Sequence, residues 1–202
     1  MTINRREFLA GAGALLAATQ TRAATKQQLT AAIIGHTGKG DYGHGLDMIF
    51  KDLPGVELAA LADPDDAGRA KAVKRCKPLK DYANWREMLE KERPTLVSVA
   101  PRQTGERLEM LTAALNAGAH VICEKPFIRT PADGDQILEL ARRKNLKIVV
   151  MHQIRMAPSV VNLKKKIEAG VLGDLMQMNA WGKQDKRAGG EDLAVLAIHL
   201  FD

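Results

Sequence analysis

Aromatic side chains make up only 4% of this 202-residue chain, so a folded core has to be built from aliphatic groups. Cysteine is scarcer still: Cys76 and Cys123 stand alone, without the spacing of metal ligands, and no metal site is expected. Cys123 ends an apolar run and reads as a buried thiol. Long hydrophobic runs are missing too. The apolar stretch from Leu9 to Thr19 falls short of the roughly 20 residues that a bilayer crossing takes. The formal charge of +6 is not gathered into a basic stripe interleaved with aromatics, so it describes a solvated surface and nucleic acid is not expected as a partner. The triplet Lys164–Lys166 reads as the wet face of a helix. Internal repeats and low-complexity segments are also absent. What is present is a globular balance of 46% hydrophobic and 27% charged residues. The length suits one ordinary domain and part of another.

The chain opens with an address. "NRREFL" (4–9) places two arginines before a short apolar run, and small residues follow near "TRAA" (21–24). A basic start, a short apolar middle and a small-residue end form a secretory signal. The paired arginines with Phe8 and Leu9 resemble the twin-arginine export motif. Residues 1–25 are therefore expected to be a signal peptide cleaved near Ala23–Ala24. The mature protein is expected in the periplasm with no stable membrane anchor, the twin-arginine export machinery being a transient partner.

Behind the leader, apolar runs alternate with segments of helical spacing. "TAAIIGHTG" (30–38) reads as a buried parallel strand that breaks into glycines, and "GHGLDMIFKDL" (43–53) as the helix after it. Further strands are expected in "VELAALADPD" (56–65), "PTLVSVAP" (94–101), "AHVICEKP" (119–126) and "LKIVVMHQ" (146–153). Helices are expected in "AGRAKAVKRC", "NWREMLEKE", "GERLEMLTAALNAG" and "ADGDQILELARRKN". This alternation predicts an α/β fold, a doubly wound parallel sheet of Rossmann type over residues 29–152. The character changes after Gln153. "SVVNLKKKIEAGVLGDL" reads as a helix and a turn, "MQMNAWGK" as a new strand, and "GGEDLAVLAIHLFD" as a loop into a helix. Residues 153–202 are expected to begin a second α+β domain that this chain does not complete, so that the chain is a fragment of a longer protein.

A dinucleotide site needs glycines directly after the first strand, because only glycine lets the backbone approach a pyrophosphate. "GHTGKG" (35–40) supplies Gly35, Gly38 and Gly40, with Thr37 in the middle glycine's place and Lys39 among them; "GKGDYG" (38–43) matches G-x-G-x-x-G letter for letter. Asp63 closes the next strand. A carboxylate there accepts the hydroxyls of a ribose and repels a 2′-phosphate, which points to NAD over NADP. Arg69 and Lys71 keep NADP open. His36 and His44 flank the loop and read as loop histidines.

"AGAHVICEKPF" (117–127) resembles the Glu-Lys-Pro signature of the Gfo/Idh/MocA oxidoreductases, the family of glucose-fructose oxidoreductase and inositol dehydrogenase. "LADPD", "VAP", "CEKP", "AGVLGDL" and "GG…IHLFD" fall in that family's order from about Ala31 to Asp202. The resemblance implies that Lys125 is catalytic, reaching the substrate hydroxyl beside the nicotinamide. It also implies that Pro126 sets the turn, often with a cis peptide, that Glu124 organises the site, and that Pro101 belongs to the cofactor site. His199 matches the family's second-domain histidine and is expected to be catalytic. The aspartate expected one helical turn before it is replaced by Val195, which cannot orient an imidazole. Asp192 lies two turns before His199 on the same face and is a substrate candidate, as are Gln153 and Arg155; Asp202 reads as structural. Arg102 is a site-edge candidate.

The implied activity is NAD(P)-dependent oxidation of a hydroxyl on a sugar, a sugar derivative or a cyclitol, by a homo-oligomer in full-length form. Export adds a condition: little free dinucleotide exists outside the cytoplasm, so the cofactor should be loaded first and stay bound. Two other readings follow from Val195 and Thr37. One is a lyase or epimerase that uses bound NAD transiently. The other is a Rossmann binding module without turnover.

Overall fold

A computed structural model describes the chain over residues 28–179. The leader, Asp192, Val195, His199 and Asp202 lie outside the described residues. Six parallel strands form one sheet: β1 (Leu29–Ile34), β2 (Val56–Ala62), β3 (Lys80–Tyr82), β4 (Leu96–Val99), β5 (His120–Cys123) and β6 (Ile148–Val150). Their spatial order is β3-β2-β1-β4-β5-β6. This is the doubly wound Rossmann order, and its direction reverses between β1 and β4, where such sheets bind ligands beyond the carboxyl ends of the strands.

The helices start and stop where short polar side chains satisfy free backbone groups. In α1 (Asp66–Cys76), Asp65 caps the first turn by accepting from the Gly68 amide at 2.6 Å, and Lys77 ends the helix in a left-handed conformation. Asn84 caps α2 (Trp85–Glu92) through the Arg86 amide. In α4 (Pro131–Lys144), Thr130 caps, Pro131 opens and Asn145 closes, while Arg142, Arg143 and Lys144 face the negative end of the helix dipole. α3 (Arg107–Asn116) has no such side-chain cap.

Alternation along the strands divides the core in two. Ala32, Ile34, Val97, Val99 and Cys123 face α2, α3 and α4, meeting Trp85, Met88, Leu111, Leu115 and Ile137. Ala31, Ile33 and Leu61 face the other way, onto Tyr42, Leu46, Phe50 and Ala72. Burial of each large aliphatic group contributes about 1.5–3 kcal/mol. The core is aliphatic as composition requires, with Trp85, Tyr42 and Phe50 as aromatic additions. Cys123 is fully buried, and that burial raises its thiol to about 11.

Three local expectations need correction. Residues 43–53 form turns instead of an α-helix: the Met48 amide bonds the Gly45 carbonyl at 3.0 Å, and the Lys51 amide the Met48 carbonyl at 3.1 Å. Gly43, Gly45 and Asp52 sit at φ 60°, 85° and 59°, which interrupts a right-handed helix. Strand β3 is additional to the expected strands; its three residues are too few for a periodic signal. The described part of "MQMNAWGK" forms no strand: Met176–Asn179 have no regular structure. Among the described residues after β6, Gln153–Met156 form a 3₁₀ turn and Pro158–Glu168 form α5, which buries none of its residues. Lys164–Lys166 are exposed on it, as expected of a wet helix face.

Candidate active site

Three loops meet beyond the carboxyl ends of β1, β4 and β5. The first carries the glycines. Gly40 has φ 90°, and a Cβ there would stand 2.4 Å from the Arg102 backbone nitrogen in the second loop. The turn therefore closes against β4 only because residue 40 has no side chain. Gly38 has φ 83° and nothing within 4 Å of its Cβ position, so the turn presents bare backbone to open space. Lys39 is exposed and pairs with Glu106 at 3.1 Å. The Gly35 face is covered by the Tyr42 ring, which a Cβ would meet at 2.1 Å. A cavity of about 510 Å³ runs between Tyr42–Met48 and the start of α1, reaching Thr37, Asp65 and Gly68.

Asp63 is fully buried. Both its oxygens accept from the Thr37 amide at 3.1 Å, one also from the Thr37 hydroxyl at 2.7 Å, and the other from the Asp65 amide at 3.0 Å. Thr37 in the glycine's place thus adds a hydroxyl to the main-chain amide, and the two donors turn the carboxylate into the loop. It fits because residue 68 is glycine: a Cβ there would lie 1.9 Å from the Thr37 hydroxyl oxygen. Tyr42 lies beside the same carboxylate, and burial first, then Asp63, push its phenol up. Arg69 donates to the Asp63 carbonyl at 2.8 Å, to Asp81 at 3.0 Å and to Asp66 at 2.5 Å. That commitment leaves Lys71, which is exposed and has no ion pair among the described residues, as the freer of the two cations expected to admit a 2′-phosphate.

The third loop carries Glu124, Lys125 and Pro126, and the Lys125–Pro126 peptide is cis. Glu124 is fully buried and reaches back to the first loop: one oxygen meets His44 Nδ1 at 2.5 Å, and the other accepts weakly from the His44 amide at 3.4 Å. His44 is thus a strut on the Glu-Lys-Pro glutamate, a role that its loop position does not announce. Lys125 is 3% exposed. Burial, with help from the nearby Arg102, holds its ammonium below the usual lysine range, and Glu124 opposes the shift. Arg107, at the start of α3, donates to carbonyls of both the second and the third loop, including Pro101. The sequence reading missed it. The one available signal was an arginine in the first turn of an apolar-striped helix.

The sequence-expected residues thus fall into three sets. Gly35, Thr37, Gly38, Lys39, Gly40, Asp63, Pro101, Glu124 and Lys125 gather at the switch point. Gln153 and Arg155 lie just after β6 and are exposed. Asp192 and His199 lie outside the described residues. The first set fits a dinucleotide on one ground: the bare Gly38 backbone faces open space at the reversal of strand order. Asp63 ends the neighbouring strand where the ribose acid was expected, but its full burial and its bonds to Thr37 and the Asp65 amide turn it into the loop and away from a ribose.

Comparison with known proteins agrees. The profile of an oxidoreductase family with an NAD-binding Rossmann fold, Gfo/Idh/MocA, matches residues 29–152. Levoglucosan dehydrogenase of Pseudarthrobacter phenanthrenivorans is 29% identical over 167 residues, covering 74% of this chain and 42% of that protein. Inositol 2-dehydrogenase of Salmonella typhimurium is 32% identical over 147 residues, covering 67% of this chain and 43% of the relative. A levoglucosan dehydrogenase structure in complex with NADH and levoglucosan superimposes with a TM-score of 0.59 at 28% identity, over 72% of this chain and 40% of that one. The chain spans about two fifths of the length of these relatives.

Proposed function

The chain belongs to the Gfo/Idh/MocA oxidoreductase family, and from that premise we propose that it is the nucleotide-binding part of an exported dehydrogenase acting on a CH–OH group of a sugar, sugar derivative or cyclitol. The observation that carries this reading is Lys125, a buried lysine whose ammonium is held below the usual range, at the end of β5, one strand beyond the β1–β4 reversal where the glycine turn sits. Gly38, Lys39 and Gly40 would hold the pyrophosphate of NAD, with Gly35 under the Tyr42 ring and Asp63 bracing the turn through Thr37 from behind, while Pro101 and Glu124 would line the end nearest Lys125. Bound NAD supplies a hydride acceptor. Lys125, as the neutral amine, takes the proton of the substrate hydroxyl, so charge does not build up on the oxygen. Gln153, Arg155 and Asp192 orient the substrate, and His199 is the second proton-transfer group.

Residues 1–25 export the folded protein to the periplasm through the twin-arginine route. Residues 29–152 are the nucleotide domain, and 153–202 begin the substrate and oligomerisation domain of a longer homo-oligomer. NAD is loaded before export and retained. The test is to purify the full-length protein from periplasm, denature it, and identify the released nucleotide by mass spectrometry. About one NAD per chain is expected. A protein that comes empty and binds no added cofactor is a binding module of another kind. If NAD is retained but no substrate yields net oxidised product, the transient-oxidation chemistry of a lyase or epimerase replaces net dehydrogenation.

The lowered Lys125 ammonium has a pH consequence. The neutral amine is the active form, so oxidation should rise with pH to a plateau whose midpoint lies below the ordinary lysine value of about 10.4. Arg102 is one cause of the lowering. Arg102→Ala removes that repulsion, favours the ammonium, and should move the midpoint to higher pH. A pH–rate profile of the two proteins checks it, and a midpoint that stays still or falls refutes the coupling.

A further inference from the structure

Arg107 is the largest fully buried side chain among the described residues. A buried cation is costly unless its surroundings satisfy it. Here the acceptors are main-chain carbonyls, reached by both Nη atoms, while the buried Nε has no hydrogen-bond partner among the described residues. Nη1 donates to the carbonyl of Glu124 and to that of Pro126 at 2.9 Å, and lies 3.5 Å from that of Phe127; Nη2 donates to the carbonyl of Pro101. The placement of those carbonyls is the informative part. The Glu124 carbonyl belongs to the peptide on the amino side of Lys125, and the Pro126 carbonyl lies just past its carboxyl side. Lys125 is therefore pinned at both ends of its own backbone. The Pro101 carbonyl belongs to the peptide of Arg102, whose nitrogen abuts the Gly40 turn. One guanidinium thus joins the lysine loop to the loop that backs the glycine turn. A lysine at 107 keeps the charge but presents a single ammonium in place of a planar fork. A methionine fills the space and donates nothing.

We infer that Arg107 is the positioning residue that fixes Lys125 against the cofactor site, by clamping the carbonyls on either side of it to the loop after β4. The inference rests on the catalytic reading of Lys125. Its test uses full-length protein carrying Arg107→Lys or Arg107→Met, with two readouts. The first is steady-state kinetics: kcat should fall about 10–100-fold, as for lost support of a reacting group, while the NAD dissociation constant changes by less than about 3-fold. The second is the titration of Lys125 itself, followed by NMR on ¹³Cε-labelled lysine and assigned with Lys125→Met. In both variants the midpoint should move up toward that of a free lysine as the loop loosens and admits water. Variants that lose thermal stability but keep kcat and the Lys125 midpoint would make Arg107 a structural residue and overturn the inference. Wild-type turnover in Lys125→Met would refute the catalytic reading and not the clamp, which the titration reads independently of any substrate.

Discussion

Lys125→Met should abolish turnover, by about 10²–10⁴-fold in kcat, the range for removing a positioned proton-transfer group. NAD should stay bound. Methionine has nearly the length of the lysine stem, so the almost closed site around residue 125 is refilled and no cavity opens. What goes is the amine. The glycine turn, Asp63 and the His44–Glu124 strut do not depend on that amine. Affinity for NAD, measured by calorimetry, should therefore change little while the rate collapses. A variant that still turns over near the wild-type rate would remove Lys125 from the chemistry. A variant that loses both rate and cofactor would make the residue a cofactor ligand first.

The second large effect is expected at Gly40. Its φ of 90° costs an L-residue roughly 1–2 kcal/mol. Gly40→Ala also drives a methyl to 2.4 Å from the Arg102 backbone nitrogen and 2.8 Å from its Cα. Those atoms are main chain and cannot swing aside as a side-chain tip would. The turn has to lift off the β4 loop, which moves the surface offered to the pyrophosphate. The NAD dissociation constant should rise more than tenfold, the equivalent of about 1.4 kcal/mol. The melting temperature should fall by several degrees, given about 2–4 °C per kcal/mol for a chain of this size. Gly38→Ala is the internal control. Its φ of 83° carries the same strain, but nothing lies within 4 Å of the added methyl. It should lose the strain part of the stability alone and keep the turn docked on β4, so its melting temperature should fall less than that of Gly40→Ala. Equal falls in both variants would mean that strain alone, and not the contact with the β4 loop, sets the loss of stability.

Much of this architecture is written locally. Asp65, Asn84, Thr130 and Pro131 mark helix starts through their own hydrogen-bonding groups and fixed dihedrals. The apolar runs at 29–34, 96–99 and 120–123 announce strands buried on both faces. The glycines after β1 and the Lys-Pro after β5 mark two of the three loops of the site. The helix expected over 43–53 failed because its apolar spacing also suits a chain of turns, and the glycines at 43 and 45 tip the choice. The aspartate that ends β2 was legible as a site residue, but its inward aim at Thr37 was not. That aim depends on the room beside Gly68, which belongs to a different element.

Periodicity, caps and the glycine spacing were enough for a doubly wound α/β sheet and the place of the glycine turn, and the likeness of Glu124–Pro126 to a family signature singled out Lys125. Each of these depends on neighbours a few positions away, so a one-dimensional pattern records it. The tertiary structure alone decided which polar groups hold those parts together. His44 finds Glu124 across 80 positions, Thr37 finds Asp63 across 26, and Arg107 reaches the carbonyls around Lys125 from the preceding helix. A buried polar group takes whatever partner the packed elements bring within about 3 Å. That partner is set by strand order and loop closure, and no spacing along the chain encodes it.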